Sequence, residues 1–297
     1  MDKISAIGEI LFDVYPETKN LGGAPLNFLY HVYKLTGKGN IISRVGYDVL
    51  GNKALDFLKK NRIPIKYIQI DRMYPTGVTN VTLDKNKVPS FNIDKERAYD
   101  YIEMNEEINN LIIEKTDCLY FGSLAQRNKI TRSAINNLFD RGIKYFCDLN
   151  IRQNFYNEEI IIKSLAAANA LKLNIHELEL INDLLLNEKF DIENAVNKIM
   201  KNYSVEFIAV TKGAEGSTLF LNDERDDHRT SPSTVVDTLG AGDAFAAIIC
   251  LGYVNNWKLS KMNMLANEFA NQICQIEGAL PETDGIYKML KEKFGDE

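Results

Sequence analysis

The residues best suited to chemistry are Asp237-Thr238-Leu239-Gly240-Ala241-Gly242-Asp243, a run that leads into the apolar stretch 244–254. That stretch reads as a buried helix, apolar all round. Gly240, Ala241 and Gly242 are small enough for the backbone to approach a ligand closely. The first amides of a helix have no internal partners, and the helix dipole adds positive potential, so the turn forms an anion site. Asp243 stands at its mouth. A carboxylate there can take a proton from an acceptor hydroxyl while the amides receive the charge of a transferred group. That chemistry is phosphoryl transfer. The plainer reading, Asp243 as a helix N-cap behind a glycine turn, leaves Asp237 and the spacing unexplained. A helix N-terminus lowers a carboxylate pKa and weakens the base, but positioning of the nucleophile matters more in a loose transition state.

A second cluster is Gly22-Gly23-Ala24-Pro25-Leu26-Asn27. Glycines close a loop, proline opens a helix, and Asn27 faces back one turn later. Gly8, Glu9 and Asp13 lie just upstream, at the carboxyl end of the first expected strand, where open α/β sheets bind ligands. The carboxylate of Asp13 and the amide of Asn27 suit a polyhydroxylated substrate. Asn150 and Arg152 follow another expected strand, and the arginine fork matches either phosphate oxygens or a surface carboxylate. Asn174 and Glu177 share one face at a helix start, a pattern that fits water around Mg²⁺ and fits a capping box equally. Asn267, Ala270, Asn271 and Cys274 recur at helical spacing, leaving room for a flat ring or for close helix packing.

These groups need a frame. β-rich runs at 4–10, 40–45, 117–122, 144–148, 170–173 and 206–210 alternate with helical periodicity at 24–35, 49–61, 131–141, 158–168, 175–186 and 192–203. Such βαβ repetition implies a mainly parallel sheet covered on both faces. Residues 77–84 and 89–94 break the rhythm, alternating apolar and polar around Lys85-Asn86-Lys87. They predict a half-exposed hairpin carrying Asn80, Phe91 and Asn92, either a lid or an edge ornament.

The 297 residues, 45% hydrophobic, read as one α/β domain with a small β insertion. A net charge of −6 argues against nucleic acid as a partner. The longest apolar run, 244–251, is too short to span a membrane, and the start lacks a basic segment followed by an apolar one. Four dispersed cysteines without a CxxC, and only three histidines (His31, His176, His228), imply reduced core thiols in a cytoplasmic protein.

The two clusters, in this order and context, resemble the signatures of the PfkB-type, ribokinase-like sugar kinases. Asp148-Leu149-Asn150-Ile151-Arg152 resembles the family's D-x-N-x-R run and Asn174-Ile175-His176-Glu177 its N-x-x-E motif. Thr211-Lys212-Gly213 with Gly216 resembles its nucleotide turn, with Lys212 where an apolar residue is more frequent. The resemblance implies a three-layer sandwich over residues 1–297, with a mainly parallel sheet and a β lid from 77–99, joined by 12–20. It implies ATP as phosphoryl donor, Asp243 as base, Gly240, Ala241 and Gly242 as anion hole, and Arg152 beside them. It places sugar on Asp13, Gly22, Gly23, Asn27, Asn80, Phe91 and Asn150. It places nucleotide on Asn174, Thr211, Gly213, Gly216, Asn271 and Gly278, with Mg²⁺ held through water by Glu177. Asp237 falls in the family's monovalent-cation loop. Glu282 and Thr283 stand where such loops vary, so dependence on K⁺ stays open.

Residues 77–84, Ala98-Tyr99-Asp100 and Tyr120-Phe121-Gly122-Ser123-Leu124-Ala125-Gln126-Arg127 are most similar to bacterial fructokinases. The implied reaction is D-fructose to D-fructose 6-phosphate, by a phosphotransferase with an alcohol acceptor. Ribose, a nucleoside or 2-keto-3-deoxygluconate are the alternative acceptors, and a non-catalytic sugar-binding homologue is the alternative role. A homodimer joined through the lid is a further implication. No G-x-G-x-x-G follows the first strand and no G-x-x-x-x-G-K-[ST] occurs, which argues against a dinucleotide oxidoreductase and a P-loop kinase.

Overall fold

The computed structural model describes residues 3–15, 17–83, 89–230, 234–281 and 283–294. The expected turn at Lys85-Asn86-Lys87, the side chain of Phe91, and Glu282 lie outside the described residues. In chain order the strands are β1 (Ile4–Ile7), β2 (Leu11–Val14), β3 (Lys19–Gly22), β4 (Asn40–Gly46), β5 (Ile68–Asp71), β6 (Gly77–Leu83) and β7 (Pro89–Ile93). They continue with β8 (Cys118–Phe121), β9 (Lys144–Asp148), β10 (Ala170–Asn174), β11 (Phe207–Thr211), β12 (Ser217–Leu221) and β13 (Glu224–His228).

A strand covered on both faces reads as an almost unbroken apolar run, and the six apolar runs become neighbours in one sheet. Its order is β13-β12-β11-β10-β9-β8-β1-β4-β5. β11 through β5 are parallel, and β12 and β13 add an antiparallel edge. The chain proceeds from β1 to β4 and β5 on one side and later through β8 to β11 on the other. The switch beside β1 opens a crevice beyond the carboxyl ends of the strands.

Side chains alternate between two helical layers. Ala6, Tyr120, Phe146, Ala170 and Phe207 pack with the helices Ala24–Thr36, Ala241–Val254 and Leu259–Ile273. Ile7, Leu119, Cys147, Leu171 and Ile208 pack with Glu106–Lys115, Glu158–Ala167 and Ile192–Tyr203. The result is the expected three-layer α/β sandwich. Every residue from Ala244 to Val254 is buried, as its composition requires.

The first expected strand, 4–10, stops at Ile7. Gly8 has φ 149°, and a Cβ there would lie 2.6 Å from the Pro25 ring. The chain bends away, and β2 joins a second sheet of order β3-β2-β6-β7. β2 runs parallel to β6, with Asp13 opposite Thr79. The hairpin read from 77–94 is thus half of a four-stranded sheet. The helix expected over 131–141 is Lys129–Asn136, followed by a turn with Asp140 at φ 61°. The helix over 175–186 is α-helical only for Ile175–Ile181 and then widens into a π turn, Asn182–Leu186, whose Asn182 amide donates to the Glu188 carbonyl.

Candidate active site

Two cavities meet at the start of the helix Ala241–Val254. One, of about 1000 Å³, lies at the carboxyl ends of the central strands and reaches the second sheet at Asp13 and Thr79. The other, of about 370 Å³, is mainly apolar, with Ala214, Val235, Phe245 and Ala270 among its walls. Thr211, Thr238 and Gly242 line both.

Gly240 is the N-cap, at φ 77°, so the expected anion turn is itself the first turn of the helix. A Cβ at Gly240 would lie 2.7 Å from the Ala279 Cα, and only glycine fits. No side chain caps this end. Among the described residues the amides of Gly242 and Asp243 have no hydrogen-bond partner, whereas Ala241 donates to the Thr238 carbonyl. Asp237 holds the loop: its Oδ1 accepts from the Leu239 amide at 2.9 Å and its Oδ2 from the Gly278 amide at 3.1 Å. Gly278 therefore buttresses the loop and does not line the smaller cavity.

Asp243 is the third residue of the helix, not its cap. Its Oδ2 accepts from Asn27 Nδ2 at 2.8 Å. Burial, then the Asp148 charge, pushes its carboxyl up to about 6, against Asn27, Lys172 and Arg152. The expectation of a lowered carboxyl is corrected: burial and the Asp148 charge raise it. The remaining oxygen of the Asn27 side chain, Oδ1, is buried without a partner.

Asp13 lies on β2 of the second sheet, facing the larger cavity, and is pushed up to about 6 by burial, with the Thr79 hydroxyl and Arg152 opposing. A Cβ on Gly22 would stand 3.2 Å from Asp13 Oδ2, and one on Gly23, at φ 111°, only 2.5 Å from the Glu9 carbonyl. Asn80 does not line the cavity. Its amide donates to Asp94 at 3.0 Å, and the alternation of β6 turns Thr79 inward instead. Asn150 (φ 43°) and Arg152 line the larger cavity, Arg152 from an exposed position.

Asn174 and Glu177 form both halves of a capping box, and Glu177 Oε1 also accepts from the Ile151 amide at 2.8 Å. Asn174 lines the larger cavity. Gly213 and Gly216 shape the wall of the smaller one, where Asn271 also lies. Lys212 turns away, its Nζ donating to Thr218 at 2.9 Å, which explains how a lysine is accommodated in that turn.

The sequence matches the model of the pfkB family carbohydrate kinases over residues 1–284. The chain belongs to this family. Among curated relatives, the Salmonella typhimurium fructokinase is 24% identical, covering 95% of this chain and 93% of the relative. An ATP-dependent 6-phosphofructokinase of Thermoanaerobacterium thermosaccharolyticum is 28% identical, covering 93% and 86%. The crystal structure of the Xylella fastidiosa fructokinase with bound ATP superposes with a TM-score of 0.83 at 18% identity, covering 100% of both chains. As a PfkB-family sugar kinase the protein is a phosphotransferase. Among the described residues, no helix is long and apolar enough to cross a membrane.

The larger cavity of this kinase also holds polar residues to which the sequence assigns no role of their own, Glu9, Thr79 and Lys172 among them. Glu9, beside Asp13 in the polar cluster, is pushed up to about 7 chiefly by burial. Thr79 takes the inward place expected of Asn80. Lys172 carries a signal in the sequence, since a lysine between Leu171 and Leu173 in a doubly covered strand is unusual.

Proposed function

We propose that this kinase transfers the terminal phosphoryl group of ATP to the 6-hydroxyl of D-fructose. The observation that carries the reading is the position of Asp243: tied to Asn27 in the polar cavity, on the helix turn whose amides border both cavities. The larger cavity offers Asp13, Asn27, Thr79 and Asn150 to sugar hydroxyls. The smaller suits a flat base. Asp243 takes the hydroxyl proton as the sugar oxygen attacks phosphorus. The bond from phosphorus to the bridging oxygen breaks, its electron pair leaving with ADP, and the free amides receive the charge in transit. Fructose is favoured over other acceptors by the fructokinase-like segments at 77–84, 98–100 and 120–127 and by the fructokinase relative.

Among the described residues no group of three His, Cys, Asp or Glu forms a direct metal cage. Both Glu177 oxygens already accept amides, so Mg²⁺ carried by the nucleotide would meet Glu177 through water, and its charge would lie on the phosphates. A monovalent cation at Asp237 would share oxygens that hold Leu239 and Gly278. β7 is an outer strand of the second sheet, and pairing of two copies there belongs to the same reading.

The test is ADP release across fructose, fructose 6-phosphate, ribose, 2-keto-3-deoxygluconate and nucleosides. Fructose should give the highest kcat/KM. A higher value for any other acceptor would replace fructose, and no transfer to any would remove the kinase reading.

A further inference from the structure

We propose that Lys172 is a further catalytic residue, its ammonium contacting the phosphoryl group in transit; this rests on the kinase reading above. Lys172 lies on β10, on the sheet face covered by the helix Ala241–Val254, in register with Asp148 of β9. Its Nζ stands 3.0 and 3.2 Å from the two Asp148 oxygens. Asp148 is fully buried and also accepts from the Tyr120 hydroxyl at 3.3 Å.

Three observations set this pair apart from a structural ion pair. An ammonium has three donors; Asp148 engages at most two, and no other partner for Lys172 exists among the described residues. Lys172 borders the larger cavity, whereas Asp148 does not. A Cβ at Gly242 would stand 3.4 Å from Nζ, so the ammonium sits against the turn with the free amides. Glycine at 242 leaves that approach open.

Charge gives the same direction. Glu9, Asp13, Asp237, Asp243 and Glu277 line the cavity, and their cationic neighbours there are Lys172 and Arg152. Arg152 is exposed at the rim, while Lys172 is 6% exposed beneath the loop. Burial alone favours a neutral amine, but the Asp148 and Glu177 carboxylates outweigh it and hold the ammonium. Lys172 keeps its proton throughout; the sugar proton goes to Asp243. Asp148 is then a positioning residue that aims the free donor.

Lys172→Met leaves Asp148 buried without a counter-ion and risks misfolding. The decisive comparison is therefore Asp148→Asn against Lys172→Met combined with Asp148→Asn, which removes both charges together. Asp148→Asn loosens the aim of the Lys172 donor and should lower kcat by about three- to tenfold. The double variant should lose about 10²-fold in kcat, as when one donor to developing charge is removed, with sugar KM little changed. It should also lose preference for the β,γ-imido analogue of ATP over ADP. A double variant that turns over as fast as Asp148→Asn would show that Lys172 serves only Asp148, and would overturn the proposal. If the double variant does not fold, wild type crystallised with ADP, aluminium fluoride and sugar decides: Nζ within hydrogen-bond distance of the fluoroaluminate supports it, and Nζ held on Asp148 alone refutes it. Wild type inactive on every acceptor would instead mark failure of the kinase reading.

Discussion

Asn27 Nδ2 donates to Asp243 Oδ2 at 2.8 Å across 216 residues of chain. It joins the first turn of Ala24–Thr36 to the first turn of Ala241–Val254, so the motifs around Asn27 and Asp243 form one unit. The bond fixes one carboxylate oxygen and leaves the other for the proposed acceptor hydroxyl. Asp243→Asn removes the proposed base with little change in shape. It should lower kcat by about 10²-fold or more, with sugar KM little altered, as steady-state assays would show; near-normal turnover would remove Asp243 from the mechanism.

The pH dependence follows from the same pair. Asp243 must be ionised to accept a proton, and its carboxyl is pushed up to about 6. Turnover should therefore fall as pH drops through about 6. Asn27 stabilises the ionised form, so Asn27→Ala should move that acid limb to higher pH. A kcat–pH profile from 5 to 9 on both proteins checks the sign, and an unmoved limb would separate Asn27 from the titrating group.

Asp13 lines the larger cavity and is not among the walls of the smaller one. Asp13→Ala should raise sugar KM about tenfold or more and leave ATP KM nearly unchanged, since a lost hydrogen bond to a polar substrate is felt mainly in its own binding. If ATP binding suffers instead, the two ends of the site are reversed.

Ala270 lines the smaller cavity. Ala270→Phe fills space proposed for the base. ATP KM should rise about tenfold or more while sugar affinity, read by isothermal titration, stays within about twofold. Unchanged ATP KM would place the nucleotide elsewhere.

The second sheet covers the larger cavity through Asp13 and Thr79. Replacing 78–92 by a short Gly-Ser turn should leave the main sheet folded, raise sugar KM, and increase ATP hydrolysed per sugar phosphate formed, because water enters. Comparing ADP release with fructose phosphate formed is the check. Normal coupling would make these strands an ornament or a contact between copies.

What the sequence by itself determined is local. Small residues before an all-apolar helix specify an open anion turn wherever it lies, and Asp237–Asp243 declared itself for that reason. The parallel strands were legible because covering both faces demands apolar runs. The Asn174–Glu177 capping box was legible as one of two readings, since both partners lie in one turn. What remained belongs to pairings between distant segments. The run 4–10 reads as one β-rich segment, so the bend at Gly8 is decided by Pro25 packing against it and by β2 finding β6. Which of Thr79 and Asn80 faces the larger cavity follows from register with Asp13. The raised carboxyl of Asp243 comes from burial and from Asp148, 95 positions earlier in number. Lys172 shows the division most clearly. Its place inside an apolar strand is written in the chain, but its role depends on β9 setting Asp148 beside it and on the helix start at Gly242 crossing above. Only the tertiary structure brings those three together, because electrostatic interactions act through space and carry no trace in local sequence.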